Sequence, residues 1–96
     1  MTTTTSLRVL VDSNVLVYAI DRDSPYHAAS RALLQRGLSR EIDLCTTVQN
    51  ILEFVTISTN PRRVKTAISM AQAWAEVTHL RQCCRLVHPP VDLIER

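Results

Sequence analysis

Asp12 and Glu53 are the two carboxylates of this sequence whose neighbours suggest chemistry rather than solvation. Asp12 follows the run Leu7-Arg8-Val9-Leu10-Val11 and opens Asp12-Ser13-Asn14-Val15-Leu16-Val17-Tyr18-Ala19. That places it at a strand-to-helix corner, the edge at which α/β folds bind ligands. A carboxylate among such neighbours needs something to stabilise its charge, and helix-start amides, a base or a hard cation are the usual partners. Glu53 lies in Thr46-Thr47-Val48-Gln49-Asn50-Ile51-Leu52-Glu53-Phe54-Val55, where Val48, Ile51, Leu52 and Val55 keep the spacing of an apolar helix stripe. Glu53 is off that stripe and one turn beyond Gln49, so the spacing predicts that it points from a polar flank toward a cleft. Each has a plainer reading. Asp is a preferred helix cap in any α/β protein, and a lone Glu on a helix is ordinarily solvated. The pairing favours chemistry, because one strand-helix-strand unit can bring both residues to the same sheet edge.

The elements that must position them are legible in outline. Residues 7 to 11 read as a buried strand interrupted only by Arg8. Ser13 or Asn14 is placed to cap a helix over Val15 to Ala19. Asp21-Arg22-Asp23-Ser24-Pro25 reads as a loop, with Ser24 the next cap and Pro25 the first helical residue. The helix it starts is expected to reach about Arg36, with Ala29, Ala32, Leu33 and Arg36 on one side and Gly37 ending it in a left-handed conformation. Leu44 and Cys45 fall in a short second strand, and Thr46-Thr47 cap the helix of Glu53. Asn60-Pro61 repeats the cap-plus-proline signal, followed by the stripe Val64, Ala67, Ile68, Ala71, Trp74 and Ala75. Cys84 to His88 can form a third strand, and Val91 to Arg96 starts a final helix after Pro89-Pro90.

This order predicts an α/β fold: three layers, with a parallel sheet flanked by helices. A polar tail over residues 1–6 precedes a single domain over 7–96. A parallel sheet normally needs more strands, so the C-terminal part of the fold is expected to be missing. The chain has 96 residues, 46% hydrophobic, with one Gly and four Pro, which fits a helix-rich globular domain and excludes a disordered or repeat polymer. The opening residues carry no Lys or Arg and the apolar run after them is too short for a signal peptide or membrane span, so a cytoplasmic protein without membrane contact is expected. Cys45, Cys83 and Cys84 form no C-x-x-C pair and read as reduced thiols. A net charge of +2 does not by itself announce nucleic-acid binding. Arg62, Arg63 and Lys65, like Arg81 and Arg85, read most simply as solvated helix ends. His27, His79 and His88 lack zinc spacing, and His27 is expected to face outward from its helix. Trp74 reads as core, or as interface if its stripe is left uncovered, and Tyr18 and Phe54 as packing.

With Asp12-Ser13-Asn14 after the first strand, Ser24-Pro25-Tyr26-His27 opening the next helix and Glu53 in the helix after the second strand, the sequence resembles the PIN-domain nucleases. Within them it is most similar to the VapC toxins of bacterial toxin-antitoxin pairs. The resemblance implies a metal-dependent endoribonuclease using Mg²⁺ or Mn²⁺. Asp12 and Glu53 would be its catalytic metal ligands, with Ser13 and Asn14 shaping the site. It also implies an RNA substrate, a cognate antitoxin as partner and a possible homodimer. The family's later acidic residues fall past the end of this sequence, and Asp92 and Glu95 are first-turn helix residues rather than substitutes for them. Two Asp and Glu ligands make a thin site, so activity of this chain is expected to be impaired. The competing reading is a non-catalytic module that docks an antitoxin or a second copy through amphipathic helix faces. A phosphate-accepting receiver domain fits less well, since the only lysine, Lys65, is out of place for one.

Overall fold

The structure is a computed structural model that describes residues 8–88. The tail at 1–6, Leu7 and the expected helix over 91–96 lie outside the described residues. The elements are β1 (Arg8–Leu10), α1 (Ser13–Tyr18), α2 (His27–Leu38), β2 (Asp43–Thr46), α3 (Val48–Ser58), α4 (Met70–Cys83) and β3 (Arg85–Leu86). The sheet has the order β1-β2-β3 with both pairs parallel, in the register Arg8 opposite Asp43, Leu10 opposite Cys45 and Thr46 opposite Leu86. The fold is therefore α/β, a small parallel sheet flanked by helices, as the element order predicts.

β2 is the middle strand, and Leu44, Cys45 and Thr46 are buried in it. β1 is not the buried strand that its composition predicts. Among the described residues it pairs on one side only, and Arg8 is exposed and Leu10 is 63% exposed. Burial begins just past it at Val11, whose N–H donates to the Cys45 carbonyl at 2.8 Å. At the opposite end of the strands Asp43 accepts hydrogen bonds from Arg8 Nε at 3.2 Å and from Arg85 Nη2 at 2.7 Å, tying the first residues of all three together. The Arg85 guanidinium holds the Asp43 carboxyl far below its ordinary value of 3.8. Because the folded value is the lower one, this stabilisation is present above about pH 4 and is lost as pH falls toward the folded value. Solvent screening at this exposed triplet keeps it modest.

Helix boundaries and faces depart from the sequence expectation in several places. The Ser24 hydroxyl accepts from the Tyr26 N–H at 3.0 Å, but this closes a turn, and α2 begins only at His27. Its buried face is Ser30, Leu34 and Gly37, and Ala29, Ala32 and Arg36 are exposed. Gly37 does not end the helix in a left-handed conformation; Arg40 does that, with φ 66°. The glycine is needed for close approach. A Cβ at position 37 would collide with the Cys83 carbonyl oxygen and stand 2.8 Å from Leu44 Cδ2 and 2.9 Å from Leu44 Cβ. Gly37→Ala is expected to destabilise the fold by about 1–3 kcal/mol and to lower Tm by about 10 °C in a thermal melt followed by circular dichroism. Helix propensity alone predicts the opposite sign, a gain of roughly 1 kcal/mol, so a raised Tm would show that α2 and α4 do not touch at this point.

The segment after α3 departs furthest. Asn60-Pro61 starts a turn, with the Asn60 side chain accepting the Arg62 N–H at 2.9 Å, and no helix forms until Ser69. There the Ser69 hydroxyl accepts the Gln72 N–H and the Gln72 side chain accepts the Ser69 N–H, a capping box that stabilises the start of α4. The buried face of α4 is Ala73, Val77, Leu80 and Cys83, so Trp74 is not core and is 46% exposed. All three cysteines are free and buried, and burial pushes the Cys84 thiol up to about 12. They are unreactive packing groups in the folded chain.

Candidate active site

The corner at Asp12 is held from below before any site chemistry begins. The Val11 carbonyl accepts the Thr46 hydroxyl at 3.0 Å and the Asn50 side-chain amide at 3.1 Å, so the end of β2 and the first turn of α3 both grip the peptide that leads into Asp12. Thr46 is completely buried, and this bond satisfies a hydroxyl that would otherwise be costly there. The sequence marks Thr46 only as half of a Thr46-Thr47 cap, a role that Thr47 alone fills by accepting the Asn50 N–H at 3.1 Å, and it does not mark Asn50. The usable signal was a hydroxyl residue in the last position of the second strand.

Asp12 itself caps α1, the plainer of the two readings of that residue, and Ser13 and Asn14, also placed to cap, do not. Its Oδ1 accepts the Asn14 N–H at 3.0 Å and the Val15 N–H at 3.3 Å, while Ser13 and Asn14 are the first helical residues. Asp12 is exposed, so helix-start amides and water stabilise its charge. Among the described residues no hydrogen bond reaches Oδ2, which leaves one carboxylate oxygen for another partner.

Glu53 is exposed on α3 in a cleft of about 410 Å³. Ser13 and Asn14 enter this cleft from α1, Gln49 and Glu53 from α3, and Arg63 from the turn that follows α3. Leu52 and Ile57 supply apolar wall. The helical repeat explains the set, since Gln49, Glu53 and Ile57 are four residues apart and lie in one row. The structure thus brings three of the four expected site residues, Ser13, Asn14 and Glu53, into one cleft. The Asp12 carboxylate is not part of its lining and stands at the head of α1, one residue before Ser13. Arg63, expected on a solvated helix end, lines the cleft because the residues around it form a turn instead of a helix. His27 does not face outward. Its Nδ1 lies 2.9 Å from the Tyr18 carbonyl and ties α2 to the end of α1, while Tyr18 and Tyr26 pack ring against ring at 5.0 Å.

The polar groups of this cleft are oxygen and nitrogen donors without thiol or imidazole, a set that suits a hard cation better than zinc or copper. Among the described residues no three His, Cys, Asp or Glu side chains converge closely enough to form a complete metal site. The sequence matches the PIN domain over residues 9–92. The chain belongs to the PIN domain family. That places it among nucleases that act on nucleic acid and generally use divalent metal ions, and it sets the receiver-domain reading aside. A search of the curated proteins finds no match to this PIN domain. No helix among its described residues is long and apolar enough to cross a membrane.

Proposed function

We propose that this PIN domain is a metal-dependent endoribonuclease of the toxin-antitoxin type, hydrolysing RNA phosphodiester bonds in the cytoplasm and held in check by a cognate antitoxin protein. The observation that carries the reading is the cleft in which Glu53 meets Ser13 and Asn14 directly after the Asp12 cap, in a chain of a nuclease family. Asp12 Oδ2 and the Glu53 carboxylate are the groups that would hold Mg²⁺ or Mn²⁺. When bound, such an ion supplies a more acidic water and stabilises charge on the scissile phosphate. The chain's own part is to orient. Thr46 and Asn50 fix the peptide before Asp12, the α1 amides hold its Oδ1 to the helix start, and Ser13 and Asn14 set the width of the cleft. Two carboxylates are few for an ion that binds through hard oxygens, so turnover is slow.

The test is cleavage of a fluorescently labelled single-stranded RNA in Mn²⁺ by the purified chain. Products should accumulate over hours, stop on addition of a chelator and resume when Mn²⁺ is restored. A folded chain that leaves the RNA intact at every metal concentration removes the reading. A binding module without catalysis is then the alternative, and one observation favours it: Met70 and Trp74, one turn apart on α4, are both about half exposed and present apolar surface to a partner or a second copy. That module would bind and not cut.

A further inference from the structure

We infer that Arg63 is the substrate-positioning residue of the cleft and binds a phosphate of single-stranded RNA; this rests on the nuclease reading. A cleft edged by Glu53, with Asp12 beside it, repels a phosphodiester unless a cation compensates, and Arg63 is the one cationic side chain among the described residues that lines it. Arg63 is not already consumed. Among the described residues the arginines within ion-pair distance of a carboxylate are Arg8, Arg36 and Arg85, so Arg63 and Glu53 share the cleft without closing on each other.

Its backbone is also fixed. The Asn60 carbonyl accepts the N–H groups of Arg63 at 2.9 Å and Val64 at 3.2 Å, the Asn60 N–H donates to the Ile57 carbonyl at 3.1 Å, and the Ile68 N–H returns to the Ser58 carbonyl at 3.0 Å. Val64, next in the chain, packs on the core. The turn therefore holds Arg63 against the end of α3 and leaves its planar fork of donors in solvent, the arrangement suited to bidentate capture of a phosphate. Leu52, 51% exposed, and Ile57 give the sugar and base an apolar wall. A cleft of about 410 Å³ is of a size to take one nucleotide of a single strand.

The measurement is fluorescence anisotropy of a labelled single-stranded RNA in Ca²⁺ over a series of salt concentrations, with wild type, Arg63→Ala, Arg63→Lys and Arg62→Ala. Arg63→Ala should weaken binding about tenfold and flatten the plot of log affinity against log salt by roughly 0.7, the increment for one phosphate contact on a single strand. Arg63→Lys should recover most of the salt dependence, and Arg62→Ala, outside the cleft, should track wild type. Arg63 is exposed, so folding is preserved, and a thermal melt of each variant verifies this. Arg63→Ala matching Arg62→Ala in affinity and slope, or tightening Mn²⁺ and RNA together, overturns the inference while wild-type cleavage leaves the nuclease reading standing. Wild type that neither binds nor cuts RNA removes both.

Discussion

Glu53→Gln is expected to slow Mn²⁺-dependent RNA cleavage by roughly 100-fold or more while leaving Tm almost unchanged. The substitution keeps the side chain's shape, removes its charge and replaces one accepting oxygen with a donating NH2 group. Glu53 is exposed on α3 and has no ion pair among the described residues, so stability has little to lose. A hard divalent ion, by contrast, loses one of two carboxylates, and Mn²⁺ affinity measured by calorimetry should fall with the rate. Asp12 separates the two effects further. Asn is as good a helix cap as Asp, so Asp12→Asn should keep Tm and lose activity, whereas Asp12→Ala should lose activity and about 1 kcal/mol of stability together. Wild-type rates and Mn²⁺ affinity in Glu53→Gln would mean that the Glu53 cleft is not where the reaction occurs.

The parts of this site that could be read from sequence are those set by local rules. Asp12 lies at a strand-helix corner because a short apolar run meets a capping residue, and Glu53 faces a cleft because it is off an apolar stripe and one turn from Gln49. What could not be read depends on tertiary geometry. That Asp12, not Ser13 or Asn14, is the cap depends on where β1 releases the chain, and this is set by Thr46 and Asn50 gripping the Val11 carbonyl from other elements. Arg63 reached the cleft only because Asn60-Pro61 closes a turn where the same residues ordinarily open a helix. Gly37 shows the same limit from the core side. Its sequence position suggests a helix stop, and only the approach of Cys83 and Leu44 reveals why a side chain is absent there.

The neighbour of Glu53 provides the sharpest test of how α3 is turned. Phe54→Ala is expected to cost about 3–5 kcal/mol, a large share of the roughly 5–15 kcal/mol that stabilises a domain of this size. Phe54 is completely buried in the core formed with Leu16, Val55 and Leu80, so truncation removes both its transfer energy and the packing around it. The apolar stripe read from the sequence places Val48 and Leu52 inward instead, yet both are about half exposed, and the helix is rotated so that Ile51, Phe54, Val55 and Ser58 face the core. The rotation has a physical cause, because the largest apolar side chain of α3 gains most from leaving water. Leu52→Ala therefore distinguishes the two orientations. In the observed one it costs under about 1 kcal/mol in urea unfolding, since half its surface is already in solvent. A greater loss from Leu52→Ala than from Phe54→Ala would place the stripe inward.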